Sequence, residues 1–247
     1  MKRESLKRRV LIVGEGRETE YNYFVGLRNE FEERLESTST SVSVKRGRGG
    51  DARNIVQNAI NEARKFRPDR RRGDRVFLLL DTEGPGRAPE LPQAELVAEQ
   101  HDIEVVYSCP AFEYWLLCHF DRISRSYLKD CASVIGKLNK KWIQVCKNVY
   151  NKADRDIFDR VSHLLGAACS QALAIDLHHL GTTNAARRTN PSTQVYELVA
   201  ILIGARTDER CPLSGTWELV GNDHVTVELE KGAKMPDFRG ASATWKY

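Results

Sequence analysis

The sequence predicts an α/β fold: a parallel sheet flanked by helices, a helical extension, and a small C-terminal β module. Three observations predict it. Two short runs, Val10–Val13 and Val76–Leu80, are wholly apolar, as strands buried on both faces of a parallel sheet are. Strand and helix periodicities alternate through the first half of the chain, the pattern of successive βα units. From Arg206 onward the chain becomes rich in turn residues, with short alternating runs.

Strand Val10–Val13 leads into a helix from Glu18 to Leu35, with Tyr21, Phe24, Val25, Leu27 and Phe31 on its apolar face. Ser41–Lys45 is a short strand and Gly47 to Gly50 a loop. Asp51 is the N-cap of a helix that carries Ile55, Val56, Ala59, Ile60 and Ala63. Arg75–Leu80 is a buried strand, followed by a Gly-Pro-rich loop from Gly84 to Pro92 and a short helix through Gln100. Strand Ile103–Ser108 closes at Cys109-Pro110, and helix Phe112–Phe120 follows. Residues 122–204 read as helical, and Asn190-Pro191-Ser192-Thr193 reads as the start of the last helix, where an early proline is preorganised. In the tail, strands Thr216–Val220 and Val225–Leu229 form a hairpin across Gly221-Asn222-Asp223, with Trp217 and Trp245 as a small aromatic core. The expected organisation is an α/β domain over 1–125, a helical extension over 126–205 that completes it, and a β-rich module over 206–247.

With 247 residues, 41% hydrophobic and 29% charged, the chain can form one large domain with an appendage. No apolar stretch approaches the ~20 residues of a membrane span. Met1-Lys2-Arg3-Glu4 leads into a basic segment without the apolar core of a signal peptide, so a cytoplasmic location off the membrane is expected. The six cysteines fall into no CxxC pair, and most are expected as reduced thiols in or near the core; Cys118-His119 lacks partners at zinc-ligand spacing. The net charge of +4 is uneven. Basic residues cluster at Lys7-Arg8-Arg9, Lys45-Arg46-Gly47-Arg48, Arg64 to Arg72 and Lys137-Lys140-Lys141, while the strand ends are acidic. That contrast suits a polyanion held over a metal site, although solvated surface explains any single cluster equally well.

The acidic strand ends carry the chemistry. Val13 runs into Gly14-Glu15-Gly16-Arg17, and Leu80 runs into Asp81-Thr82-Glu83. Ligands of open α/β sheets bind beyond the carboxyl ends of the strands, and Mg²⁺ takes hard oxygen ligands from one or two carboxylates. A shared site for Mg²⁺ or Mn²⁺ is therefore expected. Gly14-x-Gly16-x-x-Thr19 lacks the third glycine of a dinucleotide loop and places a carboxylate where pyrophosphate would lie. The chain also has no Gly-Lys-Ser/Thr of a Walker loop.

Several motifs in order carry a family resemblance: Gly14-Glu15-Gly16-Arg17-Glu18-Thr19-Glu20-Tyr21-Asn22-Tyr23-Phe24, Asp81-x-Glu83, Phe112-Glu113-Tyr114-Trp115-Leu116-Leu117-Cys118-His119-Phe120, Tyr150-Asn151-Lys152, and Asn190-Pro191-Ser192-Thr193-Gln194-Val195-Tyr196. Over roughly residues 8 to 204 the chain resembles the RloB family. The resemblance implies a Toprim-like fold, similar to the nuclease part of overcoming-lysogenization-defect proteins, in a bacterial antiphage defence system with an ATPase partner of the RloA type. It implies Glu15, Asp81 and Glu83 as metal ligands, with Glu83 where the family usually has Asp, and Glu18 or Glu20 as a further acid, of which Glu20 is taken as the ligand. Glu113 and Lys152 join Glu15, Asp81 and Glu83 as catalytic candidates, with Lys152 matching a lysine that stabilises the transition state. The substrate would be DNA or RNA, gripped by Arg17, Arg46, Arg48 and Arg53; Arg46 and Arg48 flank a glycine where the backbone can approach phosphates.

Plainer roles compete with each of these. Glu15 could cap the following helix, Asp81 and Glu83 could form a turn before Gly84-Pro85, and Phe112, Trp115, Leu116 and Phe120 make an apolar stripe suited to packing. Two readings stay open: a metal-dependent nuclease, or a catalytically silent module that binds nucleic acid or protein. Self-association into a homo-oligomer is left open as well.

Overall fold

Val10 to Val13 have no exposed surface because strand Arg8–Val13 (β1) lies inside the sheet. It pairs in parallel with Thr40–Lys45 (β2) on one side and Arg75–Asp81 (β3) on the other. Strand Ile103–Cys109 (β4) runs parallel to β3, and the two-residue strand Ser192–Thr193 (β5) closes the edge antiparallel to β4. The order is β2-β1-β3-β4-β5. The computed structural model describes residues 7–37, 39–83, 87–120, 126–180, 189–211, 214–220 and 222–247.

Because side chains alternate across a strand, each buried strand feeds two cores. Leu11, Val13, Val76, Leu78 and Leu80 pack under the helices Ala52–Phe66 and Leu91–Gln100. Val10, Ile12, Phe77, Leu79 and Val106 pack against the opposite layer, which contains Tyr23, Phe24 and Leu27 of helix α1 (Thr19–Glu30). Trp115 of Glu113–Leu117 joins that layer, as do residues of the helices Cys131–Cys146, Ile157–Val161, Leu165–Leu180 and Val195–Ile203. The α/β class with helices on both faces is thus present. Asp51 caps its helix as expected, accepting from the Asn54 N–H at 2.7 Å.

Three expectations are corrected. The helix expected from Glu18 to Leu35 divides at Phe31 into α1 and Glu32–Ser37. The helix expected over Phe112–Phe120 is confined to Glu113–Leu117. Asn190-Pro191-Ser192-Thr193 does not start a helix; Ser192 and Thr193 instead add one antiparallel edge strand to the otherwise parallel sheet. Ser192 and Thr193 pair with Cys109 and Ser108, the Thr193 and Ser108 hydroxyls meet at 2.9 Å, and Gln194 N–H donates to the Tyr107 carbonyl at 2.9 Å. The helix begins only at Val195. Of the remaining expectations, the Gly84-Pro85 turn, Pro212, Gly221 and residues 122–125 and 181–188 lie outside the described residues.

Ala205–Arg206, Gly215–Leu219, Asn222–Leu229 and Thr244–Lys246 form a second, antiparallel sheet. Trp217 and Trp245 are buried in its core with Cys211, Met235 and Ala200. It docks on the main body through Lys231, which pairs with Asp176 and, at 2.8 Å, with Glu197. Arg8 adds hydrogen bonds to the carbonyls of Ile201 at 2.9 Å and Tyr247 at 3.3 Å. None of the six cysteines is in a disulfide among the described residues. Among the described residues no helix is long and apolar enough to cross a membrane.

One buried carboxylate fastens the entry to both central strands. Asp74 accepts from Arg9 N–H at 2.8 Å, Arg9 Nε at 2.9 Å, Arg9 Nη2 at 2.6 Å and Asp69 N–H at 2.9 Å. Burial pushes its pKa up, but the Asp69 N–H and Arg9 outweigh it and hold the group below the usual carboxylate range. The stability it contributes is therefore present above its unfolded pKa of about 3.9 and is lost as pH falls through the lower folded value. Asp74→Ala is expected to cost about 2–3 kcal/mol in urea denaturation at pH 7, with a smaller difference near pH 3; an equal cost at both pH values would refute the charge-based account.

Candidate functional site

The sheet winds in opposite directions from β1: β2 lies on one side, β3 and β4 on the other. At such a switch point the connections leaving adjacent strand ends part and open a crevice. Glu15 follows β1 and Asp81 ends β3, so both acids arrive at that opening.

Glu15 is buried there. Its Oε2 accepts from the Asp81 backbone N–H at 2.9 Å and its Oε1 pairs with Arg87 Nη1 at 2.7 Å. Helix α1 starts four residues later with Glu18 at its cap position, so Glu15 bridges strand ends and caps no helix. The turn is braced from outside: Gly47 N–H donates to the Gly16 carbonyl at 2.7 Å and Gly49 N–H to the Glu15 carbonyl at 3.0 Å. A Cβ on Gly47 would overlap the Glu15 carbonyl, which is why that approach needs glycine. Glu20, in the first turn of α1, folds back to accept from Gly16 N–H at 3.0 Å.

Beyond β3 the chain runs along the end of β4, with Thr82 N–H on the Ser108 carbonyl at 3.0 Å and Glu83 N–H on the Pro110 carbonyl at 2.8 Å. Glu83 is exposed at the rim. Glu113, buried at the start of its helix, accepts from Tyr150 Oη at 3.0 Å and Cys131 Sγ at 3.2 Å and pairs with Lys152 Nζ at 2.9 Å. The segment bearing Tyr150 and Lys152 is held on α1: the Thr19 and Tyr150 hydroxyls meet at 3.3 Å, and Asn22 donates to the Asp154 carbonyl at 3.2 Å.

Glu15, Glu20, Asp81, Glu83, Glu113 and Lys152 line one cavity of about 240 Å³, with Arg17 and Glu18 also on its wall. The structure thus brings together every catalytic and metal candidate named from the sequence. A larger cavity of about 410 Å³ lies by the opposite, amino ends of β3 and β4, walled by Arg75, Glu95 and Glu104, away from this chemistry. Of the arginines expected on nucleic acid, Arg48 and Arg53 are exposed but do not line the cavity. Arg46 is already engaged: it stacks on the Tyr21 ring at 3.9 Å, pairs with Glu18 at 2.8 Å and donates to the Arg17 carbonyl.

The acids repel one another. Burial first, then the charges of Glu15, Glu20, Glu113 and Glu83, push Asp81 well above the usual carboxylate range. Burial also raises Glu15 against the pull of Arg87, and raises Glu20 with help from Glu113. Burial opposes the Arg87 charge but is outweighed by Glu15, then Glu83 and Asp81; Glu113 does the same for Lys152.

An all-oxygen donor set with excess negative charge fits Mg²⁺ or Mn²⁺. It is not preset as a cage, because among the described residues no three His, Cys, Asp or Glu side chains stand together as an ion's ligands. Glu15 faces Arg87, Glu20 faces Gly16 N–H, and Glu113 faces Lys152. Zinc is not favoured at Cys118-His119: both are buried, and His119 bonds Tyr23 Oη at 3.1 Å with its pKa lowered by burial to about 4. Two further residues reach the site, Arg87 through Glu15 and Tyr150 through Glu113. In the sequence Tyr150 is marked by its motif with Lys152, whereas nothing local marks Arg87.

A family model described as RloB-like protein matches residues 10–202. No curated protein and no solved structure matches the chain.

Repulsion among the acids has a thermodynamic consequence. An acid whose folded pKa is raised binds its proton more tightly in the native state, so stability falls as pH rises from the unfolded value through the folded one. Asp81→Asn is expected to raise the melting temperature of the metal-free protein at pH 7, with the gain shrinking toward pH 4. A variant less stable than the parent at pH 7 would mean that the Asp81 charge supports the fold.

Proposed function

This chain belongs to the RloB-like family, and from that premise we propose that it is a divalent-metal-dependent nuclease of a bacterial antiphage defence system. The observation that carries the proposal is the convergence of Glu15, Glu20, Asp81, Glu83, Glu113 and Lys152 on one cavity at the switch point. The resemblance of the same motifs to Toprim-like nucleases supports phosphodiester hydrolysis as the reaction.

Glu15, Asp81 and Glu83 would hold Mg²⁺ or Mn²⁺, with Glu20 behind them. When bound, such an ion polarises a phosphoryl oxygen and lowers the pKa of a bound water. The half-exposed Lys152 ammonium has three donors, of which Glu113 and Cys131 take two. The third can meet a phosphate oxygen as negative charge grows on it. Glu113 is then a positioning residue: it fixes Lys152 at the cavity wall and keeps it charged. Arg17 at the cavity wall, with the exposed Arg48 and Arg53 beyond it, suits a nucleic-acid backbone, while Arg46 braces the Glu15 turn from outside. An ATPase partner of the RloA type would supply control.

One observation favours a second reading, a catalytically silent binding module: Arg87 and Lys152 already neutralise Glu15 and Glu113. The two readings separate when purified protein is incubated with plasmid DNA and with tRNA, in Mg²⁺, Mn²⁺ or EDTA, with and without an ATPase of the RloA type. Cleavage that needs metal and drops about 100-fold or more in Glu15→Gln and in Asp81→Asn, both still folded, is the expected result. Binding without cleavage in every mixture would support the silent module, and cleavage unaffected by either substitution would move the chemistry elsewhere.

A further inference from the structure

Arg87 stands where a cation would be needed. Its Nη1 is 2.7 Å from Glu15 Oε1 and 3.1 Å from the Asp81 carbonyl, and its Nη2 is 2.6 Å from the Gly50 carbonyl. The Arg87 and Glu15 side chains are each only 11% exposed. The planar fork of the guanidinium therefore meets acceptors from three segments at once, namely the turn after β1, the end of β3 and the loop after β2. Among the described residues no hydrogen bond or ion pair holds the Asp81 carboxylate, so one monovalent group serves acids that a divalent ion would serve better.

We propose that Arg87 is a built-in counter-ion of the metal-free protein, and that a divalent ion must displace it from Glu15 in order to bind. The proposal rests on reading the crevice as a metal site. Glu15 has two oxygens, of which Asp81 N–H takes one and Arg87 the other, so an incoming ion competes directly with Arg87. Glu113 and Glu20 present no such competition at Glu15, because Lys152 and Gly16 N–H engage them separately. Arg87 would thereby keep a buried, repelling acid cluster folded without metal, and set the metal concentration at which the site fills.

The test is Mn²⁺ titration by calorimetry of the parent protein and of Arg87→Met, Arg87→Lys and Glu15→Gln. Methionine keeps an apolar stem and removes the charge; lysine keeps the charge but loses the fork. Arg87→Met is expected to bind Mn²⁺ about tenfold more tightly than the parent, the size of one charge-assisted contact. Arg87→Lys should fall between them, and Glu15→Gln should bind more weakly than the parent. Without metal, Arg87→Met should melt below the parent, and saturating Mn²⁺ should raise its melting temperature by more. Equal or weaker binding by Arg87→Met, with Glu15→Gln still impaired, would refute the competition and leave the metal site standing. No binding by any of the four proteins would instead remove the metal site itself. If circular dichroism finds Arg87→Met unfolded, Arg87→Lys decides: tighter binding than the parent supports displacement, and equal or weaker binding refutes it.

Discussion

The bridge formed by Glu15 joins the two central strands at the point where the winding of the sheet reverses. One oxygen takes the Asp81 N–H and the other takes Arg87, so the ends of β1 and β3 and the chain after β3 are fixed to one buried carboxylate. A carboxylate at that depth is tolerated only when its oxygens are engaged, and the glycine at position 47 is what lets the neighbouring loop press on the same turn. A purely structural bridge would need one acid and one base. Here Glu20, Glu83 and Glu113 crowd the same cavity and, with Glu15, push Asp81 toward protonation, a surplus more typical of functional sites than of packing.

The second wall depends on the first. Thr19 and Asn22, one helical turn apart on α1, hold the segment that carries Tyr150 and Lys152, and that segment meets Glu113 across the crevice. The region after the sheet's first four strands therefore contributes directly to the candidate site, while the C-terminal sheet has its own core and none of its residues lines the cavity. Lys231 and Arg8 tie it to the body through residues that do not line the cavity.

Much of this was legible in the sequence, for physical reasons. A central strand of a parallel sheet must be apolar on both faces, so Val10–Val13 and Val76–Leu80 announced themselves, and the acids that ended them could only lie at the sheet's carboxyl edge. Asp51 was legible as a cap, and Trp217 and Trp245 as a small core, because each pattern is local. The strand at Ser192–Thr193 was not: two residues carry no periodicity, and their pairing is with Ser108 and Cys109, far away in the chain. Arg87 was hidden for the same reason, since its three acceptors come from segments that only the fold brings together. The engagement of Arg46 with Glu18 and Tyr21 was likewise beyond reach, because a guanidinium beside a glycine reads the same whether it grips phosphate or its own helix.

As proposed, these acids would form the seat of a divalent ion. Crystals grown with Mn²⁺ and measured at a wavelength where manganese scatters anomalously test it directly. A peak is expected in the cavity, about 2.0–2.6 Å from carboxylate oxygens that include those of Glu15 and Asp81. A cavity without a peak at saturating Mn²⁺, or a peak bound only by residues outside it, would contradict the account.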